Sequence, residues 1–88
     1  MPEKVRGVPL ASAARIFSQA GAFSLRDHAA RAQSRIASLG NVQVMTASVK
    51  GIEMHRVRLG PVASVEEADQ LLARIVDRGY PEARIIVD

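Results

Sequence analysis

Residues 53–61 of the chain read Glu-Met-His-Arg-Val-Arg-Leu-Gly-Pro. In an extended strand, successive side chains point to opposite faces, so Val57 and Leu59 share one face. The other face receives Met54, Arg56 and Arg58. This alternation predicts a strand with one apolar face for a core and one largely cationic face for a ligand.

The residues after this strand predict a turn and then a helix. Gly60-Pro61 is typical of a strand end. Ser64, followed three residues later by Glu67, has the spacing of a capping box at a helix start. A strand, a turn and a helix therefore follow one another in a short span of sequence.

The same order occurs earlier in the chain. Four positions recur after 39 residues, because Gly21, Ala29, Ile36 and Gly40 correspond to Gly60, Ala68, Ile75 and Gly79. Ser24 would cap the first helix as Ser64 caps the second. Since two units are too few for a solenoid, the repeat indicates pseudo-symmetry within a single domain.

Hydrophobic periodicity predicts strands near 14–20, 42–49, 53–59 and 83–87, with helices near 25–39 and 65–78. Gly40 and Gly79 would end the helices in the left-handed conformation, and Lys50-Gly51 would form the turn between the middle strands. This order of elements is typical of an α+β, ferredoxin-like (RNP-like) βαββαβ fold. We therefore expect a four-stranded antiparallel sheet with two helices on one face. Residues 14–88 would form this domain, and residues 1–13 would be a linker or lead-in segment.

Composition favours an acidic partner. The 88-residue chain has a formal net charge of +3 and a pI near 10.2. Ten of its twelve basic residues are arginine, which binds planar carboxylate and phosphate groups through paired hydrogen bonds. GC-rich coding accounts for the arginine content equally well. No cysteine is present, which excludes disulfides and thiolate chemistry, and no apolar run is long enough to span a bilayer.

Two helices can cover only one face of the predicted sheet, so the other face stays open. Strand alternation directs one set of residues to the helices, namely Ile16, Val57, Leu59, Ile85 and Val87. It exposes a second set, namely Arg15, Phe17, Gln19, Met54, Arg56, Arg58, Arg84 and Ile86. Four arginines, an amide and a few apolar side chains predict a binding surface; the alternative is a face that is merely solvated.

No arrangement for catalysis or metal binding can be recognised. His28 and His55 fall on different elements and lack a second ligand at the spacing of a metal site. Ser18 faces the helices by its position, and no serine has the setting of a nucleophile elbow. The acidic cluster at residues 66–69 lies in the first turn of a helix, where the helix dipole favours it. We therefore expect no enzymatic activity, no metal and no cofactor.

Two motifs occur together in the chain. Residues 16–23 contain Gln-x-Gly-x-Phe, and residues 55–64 contain Arg-Val-x-x-Gly-Pro, each before a helix that contains alanine. This pair resembles the SPOR (sporulation-related repeat) domain family, and the resemblance covers about residues 14–88. The family's layout of four strands and two helices agrees with the fold predicted above.

The resemblance implies a noncatalytic module that binds peptidoglycan glycan strands lacking stem peptides. It would concentrate its parent protein at the division septum, in the periplasm or cell envelope. Glycan would lie on the open sheet face, where Gln19 matches the family's glutamine and Arg56 its strand arginine. His55 stands where many members have an aromatic residue, so stacking on sugar rings would be weaker or would fall to Phe17 and Met54.

Two other functions fit the same layout. RNA-binding modules share the topology and the positive charge, but they stack bases on two or three aromatic side chains, and the predicted face has one. A small-ligand regulatory or dimerisation domain would need an apolar interface in place of exposed arginines. Peptide-free glycan is therefore the expected partner, and nucleic acid is not expected.

Overall fold

The computed structural model describes residues 15–88. In chain order the elements are β1 (Ile16–Phe23), α1 (Arg26–Ile36) followed by a 3-10 turn (Ala37–Leu39), β2 (Val42–Val49), β3 (Ile52–Val62), α2 (Val65–Asp77) and β4 (Arg84–Val87). The predicted lead-in segment at residues 1–13 lies outside the described residues.

The four strands form one antiparallel sheet in the order β2-β3-β1-β4. α1 buries Ala29, Ala32 and Ile36, and α2 buries Ile75, in a single cluster with Val57 of β3. Because both helices contribute to the same core, they cover the same face of the sheet. The predicted α+β architecture is confirmed.

The alanine and isoleucine positions of the 39-residue repeat are core positions. Ala29 and Ile36 of α1, like Ala68 and Ile75 of α2, are each at most 2% exposed. The two residues of each pair lie about two helical turns apart and therefore on one side of the helix. Ser18 Oγ donates a hydrogen bond to the backbone oxygen of Ala68 at 2.6 Å, so this serine faces the helices as predicted.

Three predicted turn and cap signals have the expected geometry. Lys50 and Gly51 have φ angles of 53° and 80° and form the turn between β2 and β3. Ser64 Oγ accepts a hydrogen bond from the backbone nitrogen of Glu67 at 3.1 Å at the start of α2. Gly79, shortly after α2, has a φ of 106°. These local signals depend on neighbouring residues only, which is why the sequence reveals them.

Two predicted strand ends are wrong, because the sheet pairing continues past them. β1 extends beyond Gly21, and its last three residues still pair with β3. β3 extends through Gly60-Pro61, where the Gly60 nitrogen donates to the backbone oxygen of Asn41 at 2.9 Å. Gly60 has a φ of 133°, and a Cβ at this position would lie 2.9 Å from the backbone oxygen of Ile16. Glycine here therefore lets the strand bend and continue.

Both ends of α1 also differ from the prediction. The N-cap residue is Leu25, without a side-chain cap, because the extension of β1 leaves Ser24 in a bend before the helix. α1 ends at Ile36, and the last predicted helical residues form the 3-10 turn instead. Gly40 has a φ of 160°, which is extended backbone and not the predicted left-handed stop.

A bulge in β1 changes which side chains face the helices. Gln19 pairs with Arg58, but Gly21 pairs with the next residue of β3, Val57, so Ala20 is an extra residue in β1. A bulge of this kind shifts the alternation of the strand by one position. Phe23 consequently packs against the core beneath the helices.

Candidate functional site

The face of the sheet opposite the helices, called here the open face, is formed by alternate residues of all four strands. Its centre is set by Gln19, which pairs with Arg58 of β3 and Arg84 of β4. Alternation from these pairs places the eight predicted site residues on this face, namely Arg15, Phe17, Gln19, Met54, Arg56, Arg58, Arg84 and Ile86. Their role in binding stays a prediction.

A cluster of side chains around Arg58, called here the Arg58 cluster, fills the middle of the open face. Arg58 Nε donates to Gln19 Oε1 at 3.0 Å, and Arg58 Nη1 donates to Asp88 Oδ2 at 2.7 Å. Nη1 also lies 3.5 Å from Met45 Sδ, and the guanidinium carbon lies 5.3 Å from the centroid of the Phe17 ring. An amide, a carboxylate, a thioether and an aromatic face thus surround one guanidinium group.

The predicted exposure of three site residues is wrong, because the side chains of the Arg58 cluster cover one another. Phe17 is 2% exposed, and Gln19 and Arg58 are each 4% exposed. Asp88 and Met45 were not predicted as part of the site. The alternation of β4 and β2 places both residues on the open face, but it gives no indication that they contact Arg58.

A shallow groove of about 320 Å³, called here the open-face groove, lies beside the Arg58 cluster on the side of the β2–β3 turn. Four predicted residues line it, namely Gln19, Met54, Arg56 and Arg84. The lining residues that sequence reasoning missed are Ala22, Val49, Lys50 and Ile52. Val49 and Ile52 pair across the turn and are 39% and 57% exposed. The sequence feature that could have indicated this part of the groove is the pair of apolar residues, Val49 and Ile52, on either side of Lys50-Gly51.

The open-face groove combines cationic and apolar groups. Arg56 is half-buried and Arg84 is exposed, and neither is ion-paired with a carboxylate of residues 15–88. Met54 and Ile52 continue the lining toward the turn. Guanidinium groups can bind a carboxylate through paired hydrogen bonds, while apolar side chains can cover an uncharged ring. The groove therefore suits a ligand that carries both features.

His55 does not belong to the open face. It is 5% exposed, and its Nδ1 lies 3.1 Å from Thr46 Oγ1 on the side of the helices. The expectation that a histidine here weakens stacking on the open face is therefore wrong, because this position points the other way. Within residues 15–88 no three potential metal ligands come together. None of the helices in that range is long and apolar enough to cross a membrane.

With both helices on one face of the antiparallel sheet, the other face and its groove are left free to bind a ligand. The family model described as the SPOR domain matches residues 13–86, and the chain belongs to this family. No curated protein sequence matches the chain significantly.

Two solved structures share the fold. The RlpA SPOR domain from Pseudomonas aeruginosa superimposes with a TM-score of 0.68 at 24% sequence identity, covering 81% of this chain and 96% of that one. The peptidoglycan binding domain of the B. subtilis cell wall lytic enzyme CwlC superimposes with a TM-score of 0.61 at 25% identity, covering 84% of this chain and 90% of that one. The closing run at residues 79–85 also resembles the C-terminal SPOR domain of rare lipoprotein A, which fits the first neighbour.

Family membership decides whether the chain is an enzyme. SPOR domains are noncatalytic, so the chain, as a member of this family, is not an enzyme. Membership of the family therefore confirms the prediction that the chain is not an enzyme.

Proposed function

We propose that the chain binds peptidoglycan, and specifically glycan strands from which the stem peptides have been removed. The observation that carries the proposal is the open-face groove, in which Arg56 and Arg84 lie beside the apolar side chains of Met54 and Ile52. Membership of the SPOR family and the similarity to a peptidoglycan binding domain support the same ligand class.

Removal of the peptide changes the glycan in a way that suits this groove. Each N-acetylmuramic acid then carries a free carboxylate, and every sugar still carries an acetamido group and an apolar ring face. Arg56 and Arg84 can bind the carboxylate, Gln19 can bind an amide, and Met54 can cover a ring. A stem peptide would neutralise the carboxylate and add bulk above a flat sheet, which is why intact strands are expected to bind less well.

RNA suits the same face less well. Recognition of single-stranded RNA on a sheet of this type requires aromatic rings on which bases stack. Phe17, the aromatic residue of the open face, lies beneath Arg58 and is 2% exposed. The positive charge alone would give weak binding that is lost as the salt concentration rises.

A sedimentation assay tests the proposal. The purified protein is incubated with intact sacculi, with sacculi treated with an amidase, and with single-stranded RNA, and the bound fraction is measured. We expect retention mainly on amidase-treated sacculi. Equal retention on intact and treated sacculi would contradict the preference for peptide-free strands, and a preference for RNA would contradict the ligand class.

We also propose that the domain concentrates its parent protein at the division septum, within the cell envelope. Peptide-free glycan formed during septum cleavage would supply the binding sites there. A fluorescent fusion exported to the periplasm of dividing cells should collect at the septum, and the same fusion carrying Arg84→Ala should be spread along the envelope. An even distribution of the unmodified fusion would contradict this localisation.

A further inference from the structure

The side-chain amide of Gln19 has only one orientation that satisfies its surroundings. Arg58 Nε, which lies 3.0 Å away, carries a hydrogen and can only donate. The atom of Gln19 that faces it must therefore be Oε1 and not Nε2. This chemical argument fixes both N–H groups of the amide on the side away from Arg58.

Arg58 is itself immobilised. Its Nη1 donates to Asp88 Oδ2 at 2.7 Å, and its guanidinium lies over the ring of Phe17. These two contacts hold the guanidinium of Arg58 in one position, and the residue is 4% exposed. Because Arg58 is held in place, it can in turn hold the side chain of Gln19.

Within residues 15–88, the nitrogen of the Gln19 amide has no hydrogen-bond acceptor. Gln19 is 4% exposed and lines the open-face groove together with Arg56 and Arg84. No group of residues 15–88 accepts a hydrogen bond from Gln19 Nε2. Because buried polar groups in proteins are almost always hydrogen-bonded to protein, water or a ligand, this donor is available to an acceptor on a ligand in the groove.

We infer that Arg58 is a positioning residue that locks Gln19 as a hydrogen-bond donor, so that the open-face groove selects a ligand acceptor at this point. This inference rests on the proposed function and deepens it. On a peptide-free glycan, the acceptor is the oxygen of an acetamido carbonyl or of the muramic carboxylate. A ligand that presented only a donor here would find no partner on Gln19 Nε2.

The first test exchanges the donor for an acceptor. Gln19→Glu keeps an oxygen for Arg58 Nε but has no N–H group, so it should fold as the unmodified protein does. We expect its affinity for soluble peptide-free glycan, measured by titration calorimetry, to fall at least about tenfold, the combined effect of losing one hydrogen bond and of placing a carboxylate beside an anionic ligand. Unchanged affinity in the folded Gln19→Glu protein would overturn the inference.

The second test asks whether Arg58 acts through Gln19. Arg58→Lys keeps the charge beside Asp88 but removes the Nε donor, and it should weaken binding several-fold. Introduced together with Gln19→Ala, the same change should have no further effect, because the group that it positions is gone. If the two losses multiply instead, Arg58 contacts the ligand itself and the positioning role is wrong.

A spectroscopic measurement on the unmodified protein avoids any failure of a variant to fold. The side-chain NH2 signals of Gln19 in a nitrogen-15 correlation spectrum should shift when peptide-free glycan is added. Signals that stay in place at saturating glycan would overturn the inference. Arg84→Ala separates the two proposals: if it weakens binding while Gln19→Glu does not, the glycan site stands and only the inference about Gln19 fails. If the unmodified protein binds no glycan, both fail.

Discussion

Arg56 and Arg84 are the arginines that line the open-face groove, and each should contribute a separable part of the affinity for peptide-free glycan. Replacing either by alanine removes one charge-assisted hydrogen bond, worth about 1.5 kcal/mol, and should weaken binding about tenfold. Because neither is ion-paired with a carboxylate of residues 15–88, the free energy of unfolding should change by less than about 0.5 kcal/mol. Calorimetric titration and chemical denaturation measure the two quantities.

Arg74→Ala is the matched control, because Arg74 is an exposed arginine on α2 at the other side of the sheet. It should bind glycan as the unmodified protein does. The losses caused by Arg56→Ala and Arg84→Ala should shrink as salt is raised, since the Debye length falls from about 10 Å at 0.1 M to about 3 Å at 1 M. An equal loss for Arg74→Ala would mean that net charge, and not the groove, governs binding.

Strand alternation was sufficient to assign Arg56 and Arg84 to the open face, but it could not predict that Arg58 is buried there. Alternation is a local property with a period of two residues, and the sequence displays it directly. The burial of Arg58 depends on Phe17 of β1, Met45 of β2 and Asp88, the residue after β4. Contacts between residues so distant in sequence follow from strand order and register, which the sequence pattern alone does not provide.

The two helix starts differ in a way that mutagenesis can measure. Ser64 caps α2, so Ser64→Ala should lower the free energy of unfolding by about 1 kcal/mol. Ser24 precedes α1 but makes no cap hydrogen bond, so Ser24→Ala should change the free energy of unfolding by less than about 0.5 kcal/mol. Urea denaturation of both variants makes the comparison. Equal losses would contradict the assignment of Leu25 as the N-cap residue of α1.

The continuation of β3 past Gly60 gives a second test at the scale of an element. Gly60→Ala would place a Cβ 2.9 Å from the backbone oxygen of Ile16 at a φ of 133°. Gly51→Ala also meets a positive φ, of 80°, but nothing lies within 4 Å of its Cβ. Gly51→Ala should therefore cost about 1 kcal/mol, and Gly60→Ala should cost more, about 3 kcal/mol. Thermal unfolding of the two variants measures the difference, and similar losses would contradict the close approach at Gly60.

The strand ends were the least predictable part of the elements for a related reason. Glycine and proline end many strands because they suit turns. At Gly21, however, pairing with Val57 of β3 holds the backbone in the sheet, and at Gly60 the backbone nitrogen donates a hydrogen bond to the backbone oxygen of Asn41. The strand β2 and the Lys50-Gly51 turn were predicted correctly, since a two-residue turn between apolar runs requires no distant partner.

At the scale of the whole molecule, stability depends on a small aliphatic core shared by both helices. Ile75 of α2 is fully buried in it, and Ile75→Ala should cost about 2–5 kcal/mol. This is a large part of the roughly 5–15 kcal/mol that stabilises a typical domain. Val76, the next residue, is 40% exposed, and Val76→Ala should change stability by less than about 0.5 kcal/mol. Denaturant titration of both variants measures the two changes in the free energy of unfolding. Equal losses would contradict the assignment of Ile75, and not Val76, to the core.

The paired positions of Arg15 and Asp88 have a mechanical consequence. The backbone nitrogen of Arg15 donates to the backbone oxygen of Asp88 at 3.1 Å, and the backbone nitrogen of Asp88 donates to the backbone oxygen of Arg15 at 2.9 Å. Arg15, where the described part of the chain enters the sheet, therefore lies at the end away from the β2–β3 turn, toward which the open-face groove lies. Tension between that entry point and a bound polymer would run along β1, which is bonded to β3 on one side and β4 on the other. The force would act parallel to β1 and would therefore shear the hydrogen bonds to β3 and to β4 at the same time. In this geometry neighbouring hydrogen bonds share the force, so they do not break one after another.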